Sequence, residues 1–177
     1  MKSIKVLFSI WILLACSLIV SAAIPDIERQ ALIALYNSTN GDNWKFNNGW
    51  KTPPLDADGF SMPGMEWTWE GITLTVDHVT AIYFYRNYLS GPIPAELGNL
   101  SSLESLVLSE NQLTGSIPAQ LGNLSNLKEL YLPVNMLLGS IPAELGNLNK
   151  LQILSLHHNQ LTGSIPSQLG NLSSLMH

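Results

Sequence analysis

The sequence predicts an α/β solenoid, in which a repeated coil carries a parallel β-sheet on its concave face and short helical or 3₁₀ turns on its convex face. Two observations predict this fold class. A 24-residue unit recurs four times without a gap, and a segment of different sequence precedes the first unit. The four units begin at Val79, Leu103, Leu127 and Leu151. Because one coil cannot close its own apolar face, stacked coils must share one core.

Each unit contains a short strand and a turn that can be read from its leucines. In the second unit, Leu106 and Leu108 alternate with small or polar residues, which is the period-2 pattern of a strand with one buried face. Further along, Leu121 and Leu124 return the chain to the core. We expect them to lie on a short helical or 3₁₀ turn that Gly122 ends.

One asparagine follows each predicted strand. Its side-chain amide offers two donors and an acceptor, so stacked copies can satisfy the backbone groups exposed at each turn of the coil. We therefore predict a structural ladder, rather than contacts to a ligand, at Asn87, Asn111, Asn135 and Asn159.

The landmarks of the unit recur in register: Gly115, Ile117, Pro118 and the Leu-Gly-Asn-Leu run at residues 121–124. With the strand leucines they resemble the plant-type class of the leucine-rich-repeat superfamily, over residues 79–175. The resemblance implies a right-handed coil and an N-terminal cap. The similarity of these repeats to those of plant receptor-kinase ectodomains and polygalacturonase inhibitors also implies that the concave face binds a protein or peptide.

The segment before the repeats, residues 24–78, is the expected cap. Asp26 can cap a helix in which Ile27, Ala31, Leu32 and Leu35 share one face. Four tryptophans offer large apolar areas for covering the first coil, although such a cluster can also be a carbohydrate platform. They are Trp44, Trp50, Trp67 and Trp69.

The cap departs from its family in one respect. Residues 37–44 and 69–73 resemble the cap that precedes plant-type repeats, but Trp67 and Leu74 occupy the places where that cap commonly carries cysteines. A disulfide of that kind contributes about 2 to 4 kcal/mol. We expect apolar burial to substitute for it.

The N-terminus has the layout of a secretory signal. Lys2 and Lys5 precede an uncharged run at residues 6–20, and the small residues 21–23 follow. The run is short of the roughly 20 residues that a spanning helix needs, so removal after Ala23 is favoured over a permanent anchor. Alternatively, residues 13–16 resemble a bacterial lipobox, in which Cys16 would be lipidated and hold the protein in a bacterial envelope.

Composition excludes several function classes. The formal charge of -5 becomes -7 when Lys2 and Lys5 leave with the signal, and a moderately acidic chain is not expected to bind nucleic acid. Cys16 is the single cysteine, so the secreted chain would have no disulfide and no catalytic thiolate. We find no partnered nucleophile, phosphate-binding glycine loop or spaced metal ligands, and therefore expect no enzyme, no cofactor and no metal.

The outward residues of the predicted strands form the candidate partner-binding surface, because they vary while the core positions do not. Tyrosines and Arg86 are the best anchors, since aromatic residues and arginine are enriched in binding hot spots. The adjacent His157 and His158 lack further ligands and are read as a solvated face rather than a metal site. The predicted binding residues are Tyr83, Tyr85, Arg86, Val107, Ser109, Glu110, Lys128, Glu129, Tyr131, Gln152, Ser155, His157 and His158.

Two other interpretations stay open. A surface or matrix protein that binds polysaccharide or ice would fit the regular column Ser116, Ser140 and Ser164, although Leu138 interrupts the neighbouring column. Alternatively, residues 175–177 begin a fifth unit, which favours a fragment or truncated form of a longer receptor-like protein. Four sites could accept N-linked glycans in a eukaryotic secretory pathway, at Asn37, Asn99, Asn123 and Asn171.

Overall fold

The computed structural model describes residues 23–176 of the 177. All of the predicted signal except Ala23, including Cys16 of the lipobox alternative, lies outside the described residues. Within the described part of the chain, no helix is both long and apolar enough to cross a bilayer.

The chain begins with a cap helix and continues as a regular coil. Helix α1 spans Asp26–Ser38. The strands that follow are β1 Ile72–Thr75, β2 His78–Tyr83, β3 Ser90–Pro92, β4 Ser105–Val107, β5 Gln112–Thr114, β6 Glu129–Tyr131, β7 Leu138–Gly139, β8 Ile153–Ser155 and β9 Gln160–Leu161. Short 3₁₀ turns lie at Gly41–Asn43, Glu66–Thr68, Ala95–Asn99, Ala119–Asn123, Ala143–Asn147 and Ser167–Asn171.

The main sheet has the order β1-β2-β4-β6-β8. The cap hairpin β1-β2 is antiparallel, and every later neighbour is parallel. The constant 24-residue spacing sets the register, because Leu106 pairs with Leu130 and Leu130 pairs with Leu154. Leu106 and Leu130 are fully buried, and Leu154 is half-buried against the same core. The predicted leucine spine is therefore continuous.

The convex turns are 3₁₀ helices, as the sequence predicts, but the glycine in each has a different role from the one expected. Gly122 lies inside the turn Ala119–Asn123 and does not end it. A Cβ atom at Gly122 would stand 2.3 Å from the backbone oxygen of Glu144 in the next coil. The glycine is needed because adjacent turns approach each other closely.

The structure corrects two expectations about α1. Asp26 is not the N-cap: it is the first helical residue, Pro25 holds the cap position, and no side chain caps the helix. Ile27 does not share the buried face, since 57% of its surface is exposed, whereas Ala31, Leu32 and Leu35 are fully buried. The helix instead buries two charged residues, Glu28 and Arg29.

Three of the four cap tryptophans lie in the core. Trp50 stacks on Trp69 with ring centroids 4.4 Å apart, and Trp44 meets Trp50 edge to face at 5.3 Å. Trp44 also contacts Phe84 of the first coil at 4.6 Å, so the aromatic cluster joins cap and repeats. Trp67 is the exception and is 61% exposed, because the short turn Glu66–Thr68 directs Glu66 inward instead.

A buried charge network accompanies this cluster. The Arg29 guanidinium contacts Glu66 at 2.5 Å and Asp58 at 3.0 Å, and it donates to the backbone oxygen of Ser61 at 2.7 Å. Arg29 also lies over the Trp69 ring, 5.2 Å from its centroid. These contacts tie α1 to the loop between residues 51 and 66, so ionic as well as apolar contacts hold the cap together.

Candidate binding surface

The outward face of the main sheet is a regular grid of side chains. Alternate residues of a strand point to opposite faces, and the parallel register brings equivalent positions of successive coils side by side. The middle row of the grid is Tyr83, Val107, Tyr131 and Ser155, and the row before it is Ala81, Ser105, Glu129 and Ile153.

Differences in side-chain size give this face its relief. Strand β4 carries only small or medium outward residues, whereas its two neighbours carry tyrosines, so a trough follows β4 between taller walls. The trough has a volume of about 330 Å³. Its lining consists of Tyr83, Tyr85, Ser105, Val107, Ser109, Glu129 and Tyr131.

A second depression adjoins the trough on the side of the cap. It has a volume of about 340 Å³ and is lined by Phe46, Glu70 and the start of β1, together with Tyr83 and Tyr85. The two tyrosines are thus shared walls, and a continuous surface runs from the cap to β6. Phe46 and Glu70 could not be predicted from the sequence, because the cap loops follow no period that places their side chains.

Most charges near the trough are paired between coils. The Arg86 guanidinium hydrogen-bonds to Glu110, and the Tyr85 hydroxyl donates to the same carboxylate at 2.9 Å. The hydrogen bond from Arg86, followed by that from Tyr85, holds the pKa of Glu110 below its ordinary value. In return, the bond to Glu110 raises the pKa of Tyr85.

Lysine and glutamate pair in the same way on the strand-entry side of the sheet. Lys128 donates to Glu104 of the preceding coil at 2.6 Å. The neighbouring Glu129 differs, because its carboxylate accepts a hydrogen bond from Ser105 at 2.8 Å. Within residues 23–176, no cationic side chain lies within salt-bridge distance of Glu129.

The last coil carries polar residues on the same face. His157 Nδ1 lies 3.0 Å from the Ser155 hydroxyl, and the rings of His157 and His158 meet edge to face at 5.0 Å. Gln152 is half-buried at the entry to β8. In the described residues, no group of three or more histidine, cysteine, aspartate or glutamate side chains could hold a metal ion.

Three of the four ladder asparagines bridge adjacent coils, and the first bridges the cap and the first coil. Asn111 donates to the backbone oxygens of Phe84, Leu108 and Ser109, and its own oxygen accepts from the backbone N–H groups of Asn87 and Leu89. Asn135 and Asn159 repeat this pattern toward their preceding coils. Asn87 instead bonds to both backbone groups of Phe46 in the cap. The asparagines therefore also join the cap to the first coil.

The residue before each ladder asparagine adopts a left-handed backbone conformation. Its φ is 51° at Arg86, 54° at Glu110, 56° at Val134 and 54° at His158. Such angles disfavour side chains branched at Cβ, so Val134 is a strained position. The turn directs the following asparagine inward. The backbone conformation of the residue before the asparagine is therefore the same in every coil, although its residue type differs.

Twelve of the 13 predicted binding residues are exposed or half-buried, and one is not. Ser109 is only 7% exposed, and it lies among the residues that line the trough. Ser109 therefore offers little contact area, on the floor of the trough, and its role in binding stays a prediction. The other predicted residues lie at accessible positions, and their role in binding stays a prediction.

The sequence pattern of the family described as Leucine Rich Repeat matches residues 102–124, 126–148 and 150–172. Among curated proteins, none matches the sequence of this chain.

Solved structures show the same fold. The chain is similar to the BIR2 ectodomain from Arabidopsis thaliana, with a TM-score of 0.71 and 31% identity, covering 87% of this chain and 78% of that one. It is similar to a chain of the crystal structure of PEPR1-AtPEP1, with a TM-score of 0.70 and 30% identity, covering 85% of this chain but only 20% of the other. The plant peptide hormone receptor RGFR1 in complex with RGF2 aligns at a TM-score of 0.54 and 38% identity, covering 54% of this chain and 15% of that one. These similarities confirm the predicted α/β solenoid.

Proposed function

Because the chain belongs to the leucine-rich-repeat family, we propose that it is an exported, non-enzymatic recognition module whose concave face binds a protein or peptide. The trough along β4 carries this proposal. It combines tyrosine walls, a small-residue floor and polar groups at both ends on a rigid sheet. Tyrosines on a rigid scaffold supply large contact areas at a low cost in conformational entropy. The similar protein RGFR1 is a plant peptide hormone receptor whose structure was solved in complex with RGF2. This similarity favours a peptide as the ligand class.

The size of the surface favours a narrow ligand. Four strands about 4.8 Å apart, each showing about five residues, offer a few hundred Å², against roughly 800 Å² per partner in a standard interface. An extended peptide segment suits this strip. A larger partner would also contact the depression beside the cap, which shares Tyr83 and Tyr85 with the trough.

The division of the chain belongs to the same proposal. A signal at residues 1–23 would direct export, a cap at 24–78 would close the first coil, four repeats at 79–174 would carry the binding face, and 175–177 would start a fifth unit. Similarity to receptor ectodomains supports an extracellular location.

Expression of the full chain in a secreting host tests the export step. We expect the protein in the medium with Ile24 as its first residue, and we expect Cys16→Ser to leave secretion unchanged. Retention in the membrane that is lost in Cys16→Ser would favour the lipid anchor instead.

Affinity capture tests the binding face. The immobilised wild-type chain is compared with the Tyr83→Ala/Tyr131→Ala double variant and with Trp67→Ala, whose side chain is an exposed aromatic of the cap. We expect the double variant to lose the captured partners and Trp67→Ala to retain them. Equal recovery by the wild type and the double variant would count against the concave face.

A further inference from the structure

One arginine of the chain already shows how this surface holds a cation. Arg86 lies over the Tyr85 ring, 5.1 Å from its centroid, and hydrogen-bonds to the Glu110 carboxylate. The Tyr85 hydroxyl completes the set by donating to Glu110. A tyrosine face and a carboxylate thus hold one guanidinium at the edge of the trough.

The trough itself offers the same two kinds of group without a guanidinium. Tyr83 and Tyr131 are its walls, and Glu129 lies two residues before Tyr131 on the same face of β6. Ser105 orients the Glu129 carboxylate from the floor by donating to it at 2.8 Å. The nearest lysine in sequence, Lys128, is bonded to Glu104.

The local charge is therefore negative. Around the trough, Arg86 is balanced by Glu110 and Lys128 by Glu104, and Glu129 adds one carboxylate that no described cation balances. The whole chain is also acidic, with a formal charge of -5. A cationic ligand group is attracted both by this carboxylate and by the overall field.

The spacing of the walls suits a cation. Tyr83 and Tyr131 lie on strands β2 and β6, and β4 lies between them. Neighbouring strands are about 4.8 Å apart, so a group above Val107 lies about 5 Å sideways from each tyrosine column. This is inside the roughly 6 Å within which a cation is attracted by an aromatic face.

We propose that the trough is the subsite for an arginine side chain of a partner protein or peptide, held between Tyr83 and Tyr131 and ion-paired with Glu129. This inference deepens the proposed function and rests on it. A guanidinium fits better than an ammonium group, because its planar fork can stack on a tyrosine while it bonds to a carboxylate. The hydrogen bond that Ser105 donates from the floor of the trough keeps the Glu129 carboxylate oriented toward such a fork.

A titration with two matched probes tests the proposal without knowledge of the natural partner. The probes are N-acetyl-arginine amide and N-acetyl-citrulline amide, which have nearly the same shape and differ in charge. NMR signals of the purified chain are followed up to about 20 mM probe, a range that covers millimolar affinities. We expect saturable shifts at Tyr83, Val107 and Tyr131 with the arginine probe, and at least about tenfold weaker binding of the citrulline probe.

Variants assign the effect to the proposed groups. Glu129→Gln keeps the shape of the side chain and should weaken the arginine probe about fivefold, whereas Glu144→Gln, on the exposed convex turn, should not change it. Raising the salt concentration should weaken binding to the wild type more than to Glu129→Gln. Equal affinity for both probes, no response up to 20 mM, or shifts confined to other residues would each overturn the proposal.

The two proposals fail separately. If captured partners depend on Tyr83 and Tyr131 but the arginine probe does not bind, the arginine subsite is wrong and the concave binding face stands. If the probe binds the trough but captured partners do not depend on it, the proposed function is wrong and the subsite stands as a local property.

Discussion

The carboxylate of Glu28 in the cap helix accepts a hydrogen bond from the backbone N–H of Val79 in β2 at 2.8 Å. Its second oxygen lies 2.8 Å from His78 Nδ1. Glu28 is only 2% exposed, so this side chain joins cap and repeats inside the protein. A buried carboxylate is tolerated because both oxygens have partners.

Glu28→Ala should therefore destabilise the fold by about 1 to 3 kcal/mol, since it leaves the buried Val79 N–H without an acceptor. Glu28→Gln retains one acceptor oxygen and should cost less. Urea unfolding followed by tryptophan fluorescence measures both variants. Glu96→Ala, at an exposed position of a convex turn, is the control, and a loss as large in the control would contradict the role given to Glu28.

Arg29→Met should lower the free energy of unfolding by about 3 to 5 kcal/mol, because it leaves the buried Glu66 carboxylate without its cationic partner. Replacing both partners, as Arg29→Met/Glu66→Met, should cost less than the sum of the two single changes. The free energies of unfolding of the four proteins form a double-mutant cycle. Additive losses would mean that the pair contributes nothing beyond its separate residues.

The repeats could be predicted from sequence in more detail than the cap, for a physical reason. A constant 24-residue period places Leu106, Leu130 and Leu154 at one height of the stack, so strand register and the outward face follow from spacing alone. The cap has no such period. Glu28 and Arg29 look like surface charges of an amphipathic helix. They are buried because the helix packs Glu28 against the start of β2 and Arg29 against the loop that contains Asp58 and Glu66, and no sequence period predicts either contact.

The outward face was predictable as a set of positions but not as a shape. Period-2 alternation identifies Tyr83, Val107 and Tyr131 as outward, whereas the trough depends on which outward neighbours are large. Ser109 illustrates the difference, because its position in the repeat places it on the outward face, yet it is only 7% exposed.

Two glycines at equivalent positions provide a matched test of coil stacking. A Cβ at Gly122 would lie 2.3 Å from the Glu144 oxygen, whereas one at Gly170 would meet no described atom within 4 Å. Gly122→Ala should destabilise the chain by about 1 to 3 kcal/mol through overpacking. Gly170→Ala should be neutral or stabilising by up to about 1 kcal/mol, because alanine restricts the unfolded chain. Thermal unfolding of both variants makes the comparison, and equal effects would argue against close stacking.

The contact between Arg86 and Glu110 predicts a pH dependence with a definite sign. The hydrogen bond from Arg86, followed by that from Tyr85, lowers the pKa of Glu110 from its ordinary value of 4.5. Because the pKa is lower in the folded state, this contact contributes its full stability at pH values above the unfolded-state pKa of Glu110. The contribution is lost as the pH falls through the folded-state pKa.

Carboxyl carbon NMR, recorded as the pH is lowered from about 7, follows the titration of Glu110 directly. Arg86→Gln should raise the pKa of Glu110 toward 4.5, and Tyr85→Phe should raise it less, because the arginine hydrogen bond is the larger cause. The surface position of the pair means that added salt should also raise the midpoint in the wild type and leave it nearly unchanged in Arg86→Gln. A Glu110 midpoint that is the same in all three proteins would show that Arg86 does not hold this carboxylate in solution, and would remove the internal precedent for an arginine bound between a tyrosine and a glutamate.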